Sequence, residues 1–358
     1  MGILDSTWSI KTFMATPTNW KIFKGTRSAH GDLRKLPPPP PWRPRRSAVS
    51  TDRSWPLTKT DDEALPPAVR QRGMVFHATD HVIDMVNAAL YLRRPLLVTG
   101  HPGSGKSSLI DAVAYELRMG APLRWSVTSR STLRDALYQY DAIGRLQQQE
   151  AGGAADIGSF LTLGALGSAL LPTARPRALL IDEIDKSDID LPNDLLNVFE
   201  EGEFEIPELR RLGAETEVEV FTSDPSQPRA KVKGGIVSGH EFPLMILTSN
   251  GEREFPAPFL RRCLRLQMPN PTGQLEQDDN KEWKRLDAIV DLHFEKKDRE
   301  AAEAIIDAFK TIAGAGKEVA TDQLLNSIYF VMSSQLEPGE KRDSIVAELM
   351  HELATTAG

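Results

Sequence analysis

The sequence predicts a parallel α/β sheet flanked by helices, followed by a small all-helical domain and preceded by an irregular arm rich in proline and tryptophan. Three observations carry this reading. The apolar runs Leu96–Val98, Ala178–Ile181 and Leu244–Leu247 are short, and helix-patterned stretches separate them, as in a sheet covered on both faces. A glycine-rich pattern, Gly100–Ser107, begins where the first run ends and leads into helical residues. Beyond Asn270-Pro271 the chain turns charged and helix-forming. The expected division is an arm over 1–65, the α/β domain over 66–270 and a helical domain over 271–358.

Length and composition bound the rest. The chain has 358 residues, 40% of them hydrophobic, enough for about two domains with real cores. No run of eighteen apolar residues marks a transmembrane helix. The N-terminus lacks a charged-then-apolar signal pattern. Cys263 is the single cysteine, so no internal disulfide can form. A soluble cytoplasmic protein is expected. The net charge of −7 argues against a dedicated nucleic-acid surface. That charge is uneven. Residues 1–60 hold 11 Lys and Arg against 3 Asp and Glu, an excess of eight positive charges, which leaves −15 on the remainder. A basic arm on an acidic body is either a docking segment or a segment folded onto its own body or a neighbour's.

The arm holds four of the six tryptophans, Trp8, Trp20, Trp42 and Trp55. Pro37–Pro41 is an unbroken proline run, which favours polyproline II and excludes helix and central strand. It is either a ligand for an aromatic-lined groove on a partner or an extended arm pinned by its own tryptophans. The second is favoured, because free disordered linkers are poor in large aromatics.

In the α/β domain, Val82, Met85, Val86, Ala89 and Leu90 follow helical spacing over 80–92. Leu96–Val98 then reads as a buried strand ending at Thr99 and Gly100. Gly100-His101-Pro102-Gly103-Ser104-Gly105-Lys106-Ser107 matches G-x-x-x-x-G-K-[ST] in full. Glycines let the backbone curl its N–H groups toward phosphate oxygens, and the following helix adds its N-terminal dipole. Lys106 reaches the β- and γ-phosphates, and the Ser107 hydroxyl can coordinate magnesium. These eight residues and the next, Ser108, are the candidate ATP contacts. The plain alternative is a glycine turn with an incidental lysine, but the strand before and helix after favour the phosphate reading.

Ala178–Ile181 runs directly into Asp182-Glu183, which places both acids at the sheet's C-terminal edge, where nucleotides sit in open α/β sheets. Asp182 is the candidate magnesium-side carboxylate together with Ser107. Glu183 is the candidate general base that polarises a water for attack on the γ-phosphate. Alternation along an extended segment lets adjacent acids serve different tasks. A solvated acidic turn is the alternative for the pair taken alone. Leu244–Leu247 ends in Thr248-Ser249-Asn250; Asn250 is either a contact to the γ-phosphate or attacking water, or a turn asparagine before Gly251. Arg261-Arg262 is either a solvated pair or a source of transition-state charge for a neighbouring site.

The order of phosphate loop, Asp-Glu strand, strand-tip Asn and Arg-Arg resembles the AAA+ ATPases over about residues 75–350. Phe160–Gly167, leading to Leu179–Ile184, is most similar to the MoxR branch, with McrB-type motors as nearby relatives. The resemblance implies an AAA+ αβα core with a helical lid, a ring usually of six, and ATP-driven remodelling of a protein client, often with a von Willebrand A partner. It makes Asn250 sensor 1 and Arg262, with Arg261 as the other candidate, a finger acting in trans. It implies pore-facing insertions, for which Gly152–Leu170 and 213–237 are candidates. In the second, Glu217–Val220 and Arg229–Lys233 read as a hairpin turned at Pro225–Pro228, with a basic return edge. The family's sensor 2 arginine has no counterpart: Gln323 stands there, with Lys317 as another cation. The Trp- and Pro-rich arm lies outside the common core, and some MoxR-like proteins belong to bacterial defence systems. The competing expectations are a nucleotide-dependent switch or scaffold with little turnover, and a McrB-like DNA-associated motor.

Overall fold

The computed structural model describes residues 20–43, 65–152, 156–173, 175–225, 228–269, 279–314, 319–334 and 339–350. Its eleven strands among those residues are β1 (Leu96–Thr99), β2 (Leu123–Ser126), β3 (Tyr138–Tyr140), β4 (Leu161–Leu163), β5 (Ala178–Asp182), β6 (Glu203–Glu205), β7 (Glu217–Phe221), β8 (Arg229–Lys233), β9 (Ile236–Ser238), β10 (Leu244–Ser249) and β11 (Leu264–Gln267). Five of them form one all-parallel sheet in the order β11-β1-β10-β5-β2. The register sets Thr99 opposite Ser249 and Ser126 opposite Asp182, so the polar ends of β1, β5 and β10 share one edge. The three central strands are the three apolar runs of the sequence.

Helices cover both faces. Of α1 (Pro67–Val75), α2 (Asp80–Leu92) and α3 (Ser108–Glu116), the last two pack on one face of the sheet through a core that includes Val86, Leu90, Leu109, Val113 and Leu180, and α1 lies on α3 through Val69 and Tyr115. The Thr79 hydroxyl accepts from Val82 N–H at 3.4 Å to start α2, and Arg93 ends it in the left-handed region at φ 52. Leu179, Ile181, Met245 and Leu247 alternate onto the other face, where α4 (Leu191–Glu201) and α5 (Ala257–Arg262) contribute Leu195, Phe199 and Phe259.

The stretch between β2 and β10 builds a second sheet, ordered β3-β4-β7-β8-β9-β6. The expected hairpin is β7–β8, antiparallel with Val218 opposite Val232; residues 226–227 of its turn lie outside the described residues. Its basic return edge is neutralised across the hairpin: Lys231 pairs with Glu217 at 2.9 Å, Arg229 with Glu219 at 3.6 Å and Lys233 with Glu215 at 2.7 Å.

Four helices follow among the described residues: α6 (Asp279–His293), α7 (Lys296–Gly314), α8 (Thr321–Ser333) and α9 (Glu340–Leu349). Leu286, Val290, Ile306, Phe309, Leu324 and Ile328 form their common core. Leu353, expected on the last amphipathic face, lies outside the described residues. No helix among the described residues is long and apolar enough to cross a membrane.

The arm over 20–43 folds back on the α/β body, but its tryptophans are not what pins it. Trp20 only edges Tyr91, and Trp42 is 75% exposed; Trp8 and Trp55 lie outside the described residues. Ile22, Phe23 and Leu33 enter the core instead. The Asn87 side chain accepts from the N–H of Ile22 at 2.6 Å and of Phe23 at 3.0 Å. Buried Glu116 accepts from Lys24 and Thr26 N–H, both at 2.6 Å, and from Gly25 and Arg27 N–H at 3.2 and 3.3 Å. Large aromatics predict anchoring only when their faces are covered; here smaller apolar groups and two buried side-chain acceptors do it.

Candidate functional site

The phosphate loop turns through left-handed residues at Gly103 and Gly105, φ 70 and 85, which only glycine adopts freely. The loop ends in α3. Lys106 folds over it, its Nζ donating to the carbonyls of Gly100 at 2.6 Å and His101 at 2.8 Å. Burial pushes the Lys106 ammonium pKa down, against the opposing pull of Asp185, Asp182 and Glu183. Those donors are the groups a bound phosphate would compete for.

The acidic strand end meets the loop. Ser107 Oγ donates to Asp182 Oδ1 at 2.7 Å, joining residues 75 positions apart. Two hard oxygen donors at this spacing suit magnesium, which takes one or two protein ligands and keeps several waters. Thr248 Oγ1, at the tip of β10, donates to the same Asp182 oxygen at 2.6 Å and accepts from Glu183 N–H at 2.8 Å. Thr248 is 1% exposed, so it is a fixed strut between the two acids.

Glu183 departs from Asp182 by a different device from strand alternation. Its backbone sits in the left-handed region at φ 59 and ψ 48, unusual for a residue with a side chain. The chain turns there, and the carboxylate, 42% exposed, pairs with Lys186 at 2.8 Å.

Asp185 was not singled out by sequence reading, because it lies in a charged stretch that looks solvated. It is 5% exposed. Its Oδ2 accepts from Ser249 Oγ at 3.0 Å, Asn250 N–H at 2.8 Å and Glu252 N–H at 3.3 Å. The carboxylate therefore shapes the loop that carries Asn250, whose own side chain reaches Glu252 at 3.4 Å.

Arg261 and Arg262 end α5. Arg262 Nε donates to Glu200 Oε1 at 2.5 Å and its NH1 to the Pro258 carbonyl at 3.2 Å. The Arg262 hydrogen bond holds the Glu200 carboxyl below its ordinary range. The Arg261 carbonyl accepts from Arg94. The partners of Arg262 are thus on α4 and α5, away from the chain's own phosphate loop.

The start of α8 faces that loop. Thr321 and Asp322, with Phe76, Gly105, Ser108 and His293, line a cavity of about 200 Å³ beside the phosphate cradle. A Cβ at Gly103 would fall 2.2 Å from Asp322 Oδ1 and 2.6 Å from Ala320 Cβ. The Gln323 side chain accepts from Ala320 N–H at 2.7 Å, so its amide oxygen caps its own helix. Lys317 lies outside the described residues.

Sequence comparison matches residues 95–263 to the AAA domain (dynein-related subfamily). No curated protein matches the chain. Similar solved structures include NtrX from Brucella abortus in complex with ADP, at 14% identity and TM-score 0.40, covering 81% of this chain and 59% of that one. The NtrX complex with ATP aligns at 15% identity and TM-score 0.37, covering 82% and 56%. This chain therefore spans less than two thirds of the length of either structure. The strands β1, β2, β5 and β10 of the parallel sheet and the loop at its C-terminal edge fall within residues 95–263, the segment similar to the AAA domain (dynein-related subfamily).

Proposed function

We propose that this protein binds ATP with magnesium at Gly100–Ser108 and hydrolyses it. The observation that supports this best is the Ser107–Asp182 hydrogen bond at 2.7 Å, which joins the loop to the acidic strand end and brings two oxygen donors together. Loop N–H groups and Lys106 bind and orient the phosphates. Magnesium bound with the nucleotide would screen phosphate charge, held by Ser107 and Asp182. Glu183 accepts the proton of an attacking water once its pair with Lys186 opens. Asn250, held by Asp185, faces the same edge as sensor 1. Arg262, or Arg261, acts on the site of a neighbouring copy in a MoxR-like ring, and ATP turnover remodels a protein client, with a von Willebrand A partner and a bacterial defence setting as the finer expectation.

The test is direct. Lys106→Ala abolishes ATP binding, and Glu183→Gln binds ATP while turnover drops ~10²-fold or more. Normal turnover by Glu183→Gln refutes the role given to that residue.

A second reading, an ATP-dependent switch with little turnover, is favoured by two observations. The Gln323 oxygen caps a helix where a lid cation is expected, and Glu183 is engaged with Lys186. Steady-state phosphate release by the wild-type assembly separates the two. The DNA-motor alternative loses its main support, because the basic edge of β8 is paired with glutamates.

A further inference from the structure

A cavity of about 480 Å³ opens where the arm crosses the C-terminal ends of α4 and α5. Three arginines from separate parts of the chain line it: Arg43 of the arm, Arg94 after α2, and Arg262 of α5. Glu200, Glu201 and Phe242 are also in its wall.

Arg43 is held in place from several sides. Its N–H donates to the Pro40 carbonyl at 2.7 Å. Its guanidinium lies over the Phe242 ring, 5.2 Å from the centroid, and donates to the Phe199 carbonyl. Upstream, the Pro37 carbonyl accepts from Arg93 at 2.8 Å, and Arg93 forms a buried ion pair with Glu241 at 3.3 Å. The proline run between these anchors is stiff. The side chain is therefore positioned before any ligand arrives, which lowers the entropy cost of binding.

The cavity wall sets three guanidinium groups against two carboxylates, Glu200 and Glu201. Arg262 pairs with Glu200. Arg43 and Arg94 donate to the carbonyls of Phe199 and Arg261, and neither has a carboxylate within ion-pair distance among the described residues. Burial, then the charge of Arg94, push the Arg43 pKa down, against the opposing pull of Glu200 and Glu201. Capping of helix C-termini accounts for Arg43 on α4 and Arg94 on α5 taken singly. It does not account for three guanidinium groups gathered on one nucleotide-sized space. Planar guanidinium forks match phosphate oxygens bidentately.

We propose that Arg43, Arg94 and Arg262 form a polyphosphate-binding site distinct from the phosphate loop and completed by the N-terminal arm. The polyphosphate belongs either to a free ligand or to a nucleotide held by a neighbouring copy; the second source rests on the ring reading above. Arg262 leaves Glu200 to take part, and that competition moderates the affinity.

The experiment uses the full chain and has two arms. In the first, inorganic triphosphate is titrated calorimetrically into Lys106→Ala, whose phosphate loop is disabled. A free-ligand site gives binding that Arg43→Ala, added to that background, weakens about tenfold, with Arg43→Lys in between. In the second, Arg43→Ala and Glu183→Gln, each low in turnover alone, are mixed. Recovered ATPase activity shows that Arg43 acts on a neighbour's nucleotide. The inference is overturned if Lys106→Ala ignores triphosphate and the Arg43→Ala mixture recovers nothing. It is equally overturned if triphosphate binding to Lys106→Ala is unchanged by Arg43→Ala and Arg43→Ala hydrolyses ATP normally while Arg262→Ala with Glu183→Gln recovers activity, which would leave the trans finger standing without Arg43.

Discussion

Thr248→Val removes one hydroxyl from a side chain that is 1% exposed and keeps its shape. Two hydrogen bonds are lost. The first, to the Asp182 carboxylate at 2.6 Å, has a charged acceptor and is worth ~1.5–3 kcal/mol; the second, from Glu183 N–H at 2.8 Å, is worth about 1 kcal/mol. Glu183 N–H is then left without its acceptor at a residue already in the left-handed region. The sum is about 3 kcal/mol, a fall of roughly 6–12 °C in unfolding midpoint for a domain of this size. Denaturant titration of wild type and variant measures it. On the ATPase reading the same change loosens both acids, so turnover falls at least tenfold while ATP binding, carried by the loop and Lys106, changes less. Unfolding free energies equal within about 0.5 kcal/mol would refute the strut argument, because no surrounding group replaces the hydroxyl without a visible shift.

The arm's attachment is acid-sensitive. Burial pushes the Glu116 carboxyl up, but hydrogen bonds from His30 and the Lys24 and Thr26 N–H groups outweigh it and hold the pKa below the ordinary value. Lys24 and Lys35 bring Asp32 down to about 2. Both folded pKa values are depressed, so their stabilisation is complete above the unfolded carboxylate range near ~4 and fades as pH falls through the folded values; the protection of the Lys24–Arg27 amides against hydrogen exchange should fall below about pH 4, and Glu116→Ala should lack that protection at neutral pH. Glu241→Ala breaks the buried ion pair of Arg93, 3% exposed, and should cost about 3–5 kcal/mol with faster cleavage near Lys35. Cys263 is 6% exposed and burial raises its thiol to about 12, so thiol reagents should label it only on unfolding. Gly103→Ala meets Asp322 and Ala320 and forces a side chain into φ 70, so ATP affinity should fall about tenfold as α8 is displaced.

What was legible in the sequence followed burial. The strands β1, β5 and β10 lie inside the sheet with both faces covered, so each shows as a continuous apolar run. The edge strands β2 and β11 were not visible, because Arg124 and Ser126 in one, and Arg265 and Gln267 in the other, face solvent and break the run. The phosphate loop and the Asp182–Glu183 pair were legible because their chemistry needs a contiguous pattern. Thr248 and Asp185 were not, since each works through a partner more than sixty positions away. The anchoring of the arm was misread for a similar reason: Asn87 and Glu116 look like ordinary helix residues until the arm's N–H groups are placed against them.

The charge around the phosphate cradle bears on how this protein would work. Asp182, Glu183 and Asp185 surround Lys106, and Asp322 lies against Gly103. Lys186 is spent on Glu183. Four carboxylates against one available lysine make a poor host for a triphosphate that itself carries several negative charges. A divalent cation between Ser107 and Asp182 removes part of this imbalance, and α8 adds no correction there, because its first turn presents an acid and its Gln323 oxygen caps the helix. The remaining cations must come from outside the cradle. Arg262, Arg94 and Arg43 are gathered elsewhere on the same chain, two of them without carboxylate partners among the described residues. An anion site short of positive charge and a separate group of guanidinium ions on the same chain are the two halves that the ring proposal joins. Strong ATP turnover by a chain held monomeric would contradict that argument, since the cradle would then be managing the charge alone.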